Sequence, residues 1–176
     1  TVMSALATRH GAINLGQGFP DTDGPEPILR AAADALFDGR NQYPPLTGVP
    51  ELRRAVAAAN ARFYDLTIDP DSEVVVTSGA TEAITGCLMA VLNPGDEVVL
   101  IEPLYDTYLP VVRMLGAVPR LVRLAPPGWD LPRAELAAAF GPRTKALLLN
   151  TPHNPTGKVF TAAELAFIAD LLERHD

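Results

Sequence analysis

From about residue 72 onward, short apolar runs alternate with segments of helical character. The runs are "EVVVTSG" (73–79), "EVVLIEP" (97–103), "VPRLVRL" (118–124) and "TKALLLN" (144–150). Each is followed by a helical pattern: "ATEAITGCLMAVL", "YDTYLPVVRMLGA", "PRAELAAAF" and "TAAELAFIADLLERH". A strand that is apolar at almost every position, rather than at every second one, is covered on both faces. Helical crossovers between such strands make them parallel. The pattern therefore predicts four β-α units in an α/β fold: a three-layer, mostly parallel sheet with helices on both faces. Pro110 inside "YDTYLPVVRMLGA" predicts either a kinked helix or one that starts late.

Upstream, "GPEPILRAAADALFDG" and "GVPELRRAVAAANARFY" read as helices with Pro in the first turn, and Gly39 closes the first of them. The opening "TVMSALATRHG" begins inside a helical pattern, and the last helical pattern ends with the chain. The expectation is part of a larger protein. No signal peptide is read. No apolar run approaches the ~18 residues of a membrane span, so no membrane association is expected. The formal charge of −7, from 21 acids and 14 bases, argues against a nucleic-acid partner. A single cysteine, Cys87, forms no disulfide framework and points to a reducing compartment, the cytoplasm. The histidines, His10, His153 and His175, have no metal-pair spacing, so no metal is expected. His153 reads as a structural or solvated side chain.

In open α/β sheets, ligands bind where strands end at their carboxyl side. "TSGATEA" follows the first run. Amides at a helix start, with the hydroxyls of Ser78 and Thr81, suit a phosphate. An ordinary N-cap by Ser78 or Thr81, with Glu82 in the first turn, suits the same residues. It is neither a dinucleotide fingerprint nor a Walker loop, and "TGK" at 156–158 lacks the upstream glycine of one. "EPLYDTY" follows the second run and places Tyr105 where it can cover a planar ligand or pack on the helix below. "NTPHNPTGK" follows the fourth, where flanking prolines fix the direction of the Asn154 amide. Before the sheet, "NLGQGFPD" exposes side-chain-free backbone at Gly16 and Gly18. "NQYPPLTGVPELR" sets Tyr43 on a stiff loop.

Taken together, "LGQGFPD", "NQYPPLTGVPELR", "VTSGATEAI", "PGDEV", "EPLYDTY" and "NTPHNPTGK" resemble the class I/II pyridoxal-phosphate aminotransferases of fold type I. The similarity is to the kynurenine aminotransferase-like and N-succinyldiaminopimelate aminotransferase branch, and it covers nearly the whole chain. The resemblance implies pyridoxal 5'-phosphate as cofactor, amino acid and 2-oxo acid substrates, and a homodimer. It implies that Gly79, Ala80 and Thr81 hold the cofactor phosphate, that Tyr105 stacks on the ring, and that Asn154 donates to the ring oxygen. Gly18 would meet the substrate carboxylate, and Tyr43 the phosphate of the neighbouring subunit. At least one peptide bond before Pro103 or Pro155 is expected to be cis. Residues 1–48 would form an N-terminal segment with the substrate loop and first helix, and 49–176 the first part of the large cofactor domain.

The chain departs from the family pattern in its lysines. Lys145 and Lys158 are its only two, and neither falls where the family places its Schiff-base lysine. No catalytic residue is therefore assigned within the chain; that lysine is expected beyond Asp176, and the 176 residues alone are expected to be inactive. Two alternatives stand beside the aminotransferase: a cysteine-conjugate β-lyase on the same fold, and a non-catalytic binding or assembly protein derived from it.

Overall fold

The strand Glu97–Glu102 (β1) occupies the centre of a three-stranded sheet. Val118–Arg123 (β2) and Thr144–Leu148 (β3) flank it, both parallel to it, in the order β2-β1-β3. This is a computed structural model, and it describes residues 2–18 and 20–175. Among the described residues, α1 (Val2–His10), α2 (Glu26–Phe37) and α3 (Pro50–Tyr64) come first in the chain. The others are α4 (Gly79–Val91), α5 (Tyr108–Met114), α6 (Arg133–Ala139) and α7 (Ala162–Arg174). No described helix is long and apolar enough to cross a membrane.

The continuous apolarity of β1 has a direct structural reading. Successive side chains of a strand point to opposite faces. Val98 and Leu100 pack with Leu88 and Leu92 at the end of α4 and with Val112 of α5. Val99 and Ile101 pack on the other face with Val122, Leu136 of α6, and Ile168 and Leu171 of α7. Helices thus cover both faces, as expected. Pro119, which has no N–H to give a ladder, lies on β2, at the edge of the described sheet. Pro110 lies in the first turn of α5, so this helix starts late instead of kinking.

The first expected strand is not formed. Residues 74–77 follow no ladder; Val76 N–H donates to Thr47 C=O at 3.0 Å, and Val75 is 64% exposed. β-Branched composition favours an extended backbone, but a strand also needs a neighbour. No described strand pairs with this run. The loop before α3 takes that place. Gly48 (φ +96°) passes so close that a Cβ there would fall 2.4 Å from Val76 Cγ2, a position only glycine fills.

Glu97 opens β1 with its side chain 3% exposed. Its carboxylate takes two bonds from Arg120 of β2 (2.9 Å each) and two from Arg143 just before β3 (3.1 and 2.7 Å). One carboxylate thereby ties all three strands together at the amino end of the sheet. The Arg120 bonds, then those of Arg143, outweigh burial and hold the Glu97 carboxyl below its ordinary 4.5. A carboxyl whose pKa is depressed by folding stabilises the fold fully above its ordinary value and loses that contribution as pH falls through the depressed one. Urea midpoints measured across pH 7 to 3 should therefore fall on the acid side of about 4.5. Glu97→Gln should lower the midpoint at pH 7 and flatten that acid limb. An equally steep limb in the variant would contradict this role.

Candidate functional site

Two loops leave the sheet at the carboxyl ends of its strands, and the start of α4 lies at the same end. The turn 93–96 joins the end of α4 to the start of β1, and α4 packs back along β1 through Leu88 and Leu92. The helix therefore runs opposite to the strand, and its first residues, Gly79–Thr81, lie at the carboxyl end of β1. The chain leaves that same end of β1 into Tyr105. It leaves the carboxyl end of the adjacent β3 into Asn154.

The start of α4 is held by bonds among its own neighbours. Gly79 (φ +77°) donates its N–H to Thr77 C=O at 2.8 Å, and the Thr77 hydroxyl donates to Gly79 C=O at 3.0 Å. Ser78 stands at the N-cap, but no hydroxyl caps the helix. The Glu82 carboxylate accepts the Ser78 N–H. The N–H groups of Ala80 and Thr81, and the hydroxyls of Ser78 and Thr81, have no protein partner among the described residues. Two open amides and two hydroxyls at the positive end of a 13-residue helix form a donor set for an oxyanion.

Tyr105 follows the cis bond Glu102–Pro103. Its ring meets Tyr108 edge-on, centroids 5.6 Å apart at 61°, and the residue remains 37% exposed. Tyr108 belongs to the packed layer beside α4. Burial, and then Tyr105, push its phenol above the ordinary range, so it stays neutral.

The Asn154 loop is the most tightly tied of the three. Thr151–Pro152 and Asn154–Pro155 are both cis, so both bonds named in the sequence expectation, before Pro103 and Pro155, take that form. His153 N–H donates to Lys158 C=O and Gly157 N–H to His153 C=O, each at 2.7 Å. Asn154 N–H donates to Asn150 Oδ1 at 2.7 Å. The Asn154 side-chain amide is exposed and has no protein partner among the described residues. His153 is 4% exposed and structural, in contact with Thr156, Ile101 and Phe160. No group of three His, Cys, Asp or Glu suited to a metal exists among the described residues.

Both lysines are placed away from an open role at this edge. Lys145 is exposed at the amino end of β3. Lys158 Nζ lies 2.9 Å from Glu164 Oε1, with the two side chains 9% and 13% exposed, and 5.1 Å above the Phe160 ring. Glu164 also completes a capping box with Thr161 at the start of α7. Burial pulls the Glu164 carboxyl up, but the Thr161 amide, Lys158 and the Thr161 hydroxyl outweigh it and leave it below its ordinary value. The T-x-x-E spacing announces this box in the sequence; the lysine partner has no such signal.

Gly18 and Tyr43 stand on segments before the sheet, and no hydrogen bond among the described residues joins either to the loops at this edge. A Cβ at Gly18 would meet no atom of the described residues within 4 Å. Its loop is fastened to α1 through Asn14, Ser4 and Gln17. Tyr43 is fully exposed.

The model of the aminotransferase class I and II family matches residues 10–176. The solved structure of N-succinyldiaminopimelate aminotransferase from Mycobacterium tuberculosis shares 55% identity with a TM-score of 0.92, over 97% of this chain and 45% of that one. The structure of an Escherichia coli protein, YbdL, identified as a methionine aminotransferase, shares 42% identity with a TM-score of 0.95, over 99% of this chain and 46% of that one. Kynurenine–oxoglutarate transaminase 3 of Mus musculus is 40% identical over 97% of this chain and 40% of its own length. The chain spans less than half the length of each of these relatives.

Proposed function

The chain belongs to the class I and II aminotransferases, and from that premise we propose that it supplies one part of the active site of a pyridoxal-phosphate-dependent aminotransferase. The observation that carries the reading is the donor set at the start of α4, on the same edge as an exposed tyrosine and an unpartnered Asn amide. Ala80 and Thr81 N–H, with the hydroxyls of Ser78 and Thr81, would bind the cofactor phosphate. Gly79 supplies the left-handed turn that lets these groups point outward, its own N–H being committed to Thr77. Tyr105 would cover the ring, and the Asn154 amide would donate to the ring oxygen. When bound, the cofactor supplies an electron-withdrawing ring that makes the Cα–H of an amino acid acidic enough to remove. Gly18 backbone would receive the carboxylate of the substrate, an amino acid or a 2-oxo acid. Lys145 and Lys158 take no part.

The protein is read as a cytoplasmic homodimer. Phe37, Tyr43 and Leu46, each at least 90% exposed, supply an apolar surface for a second subunit, with Tyr43 reaching its neighbour's phosphate site. The exposed, unpaired Cys87 accords with a reducing compartment. Residues 1–48 form the N-terminal segment and 49–176 the first part of the large domain.

The test uses the full-length protein with pyridoxal phosphate, 2-oxoglutarate and a panel of amino donors that includes methionine, kynurenine and N-succinyldiaminopimelate. At least one donor should yield its 2-oxo acid. Tyr105→Ala should weaken cofactor binding about tenfold, since a well-packed aromatic face contributes about 0.5–1.5 kcal/mol beyond its buried area. No product from any donor, with the cofactor bound, would overturn the reading.

A further inference from the structure

His153 is a buried, titratable side chain to which the proposed function gives no role. Its Nδ1 lies 2.8 Å from Thr156 Oγ1 and its Nε2 3.4 Å from the Ile101 carbonyl oxygen. Both contacts are met by one neutral tautomer. Nε2–H donates to Ile101, and Nδ1 accepts from the Thr156 hydroxyl, whose oxygen in turn accepts Lys158 N–H at 3.2 Å. The Phe160 ring closes the pocket, edge-on at 6.3 Å. One imidazole therefore spans two strands' exits: it belongs to the loop after β3 and bonds the backbone near the end of β1. Asn154 follows it directly, and Tyr105 lies four residues beyond Ile101.

We propose that His153 is a positioning residue: it locks the Asn154 loop to the carboxyl end of β1 and so aims the Asn154 amide at a ring held against Tyr105. The proposal rests on the cofactor reading above. A loop fixed only by its own turn bonds would keep its shape yet swing as a body against the neighbouring strand. The imidazole supplies the cross-strand tie.

The experiment follows the visible absorption of the cofactor on the full-length enzyme as pH is varied. An Asn154 N–H bond to the ring oxygen favours its ionised form, so losing that bond raises the pH midpoint. Asn154→Ala should raise it, by about half a unit or more, since the bond lost is to the ionised oxygen. His153→Leu, which keeps Asn154 but removes both imidazole contacts, should move the midpoint in the same direction. His153→Gln, which restores a donor toward Ile101, should recover most of the shift. Thr156→Val removes the other contact outside the packed pocket and should give a smaller upward shift; it carries the test if His153→Leu does not fold. A midpoint that moves in Asn154→Ala but stays at the wild-type value in His153→Leu, or in Thr156→Val where His153→Leu is not recovered folded, overturns this proposal and leaves the site reading intact. A midpoint unmoved by Asn154→Ala overturns the site reading itself.

Discussion

The 176-residue chain, supplied with pyridoxal phosphate, an amino acid and a 2-oxo acid, is expected to show no turnover above the background of free cofactor. Its two lysines, Lys145 and Lys158, are both unsuited to the chemistry. Covalent cofactor chemistry needs an amine that is unpaired, deprotonated and within reach. Lys145 is exposed in water at the amino end of β3, the end opposite the loops that carry Tyr105 and Asn154. Lys158 is on the right loop, but its ammonium faces Glu164 at 2.9 Å in a nearly water-free pair. Freeing it would leave the Glu164 carboxylate without its partner and remove support from the cap of α7. Release of 2-oxo acid in proportion to chain concentration would contradict this assignment of both lysines.

Leu100→Ala is the substitution expected to cost the fold most, about 2–5 kcal/mol by analogy with other fully buried leucines. Leu100 is fully buried at the middle of the central strand, paired with Leu121 on one side and Leu148 on the other. Its side chain packs in the layer formed by Leu88, Val98, Val112 and Ala117. Two helices and two strands border the space it fills, so no single element can collapse into the cavity. The loss should appear as a lower urea midpoint with an unchanged slope. A midpoint within experimental error of the parent would mean that this layer does not carry the stability assigned to it. Leu121→Ala, on a half-exposed side chain of the edge strand, is the internal control, with a much smaller shift.

The central layer of this fold is legible in the sequence because its cause is local. Apolar runs separated by helical patterns read as parallel strands, and β1, β2 and β3 all form where those runs stand, with β1, the most continuously apolar, buried along nearly its whole length. The late start of α5 is equally legible, since Pro110 admits only two outcomes. The run 73–79 shows the limit. Its valines favour an extended chain, but a ladder needs a partner, and partners are not encoded in the run itself. The helix cap at Ser78 is another case. The hydroxyls are in place and Glu82 takes the Ser78 N–H, yet no hydroxyl turns to the Ala80 or Thr81 amide, so only the carboxylate half of a cap forms.

The candidate site divides in the same way. Tyr105 and Asn154 stand out in the sequence because each follows a strand end, where an open α/β sheet exposes backbone and side chains to a ligand; Gly79, Ala80 and Thr81 stand out by the same reasoning applied to the run 73–79, which forms no strand. The parts that aim them were not visible. His153 acts through Ile101, 52 residues earlier in the chain, and Lys158 is neutralised by Glu164 across the turn into α7. Both ties depend on how β3 docks beside β1. Gly18 and Tyr43 rest on the family resemblance, since the structure joins neither to the other three loops.

The most direct test of the central claim is to locate the lysine that bonds the cofactor. The full-length enzyme would be loaded with pyridoxal phosphate, treated with borohydride to make the attachment permanent, digested, and the labelled peptide sequenced by mass spectrometry. One labelled lysine outside residues 1–176 is expected, with Lys145 and Lys158 unlabelled, and the label should be lost when Ala80 and Thr81 are replaced by proline to remove their amides. Label on Lys145 or Lys158 would contradict the assignment of this chain as the phosphate, ring and loop portion of the site.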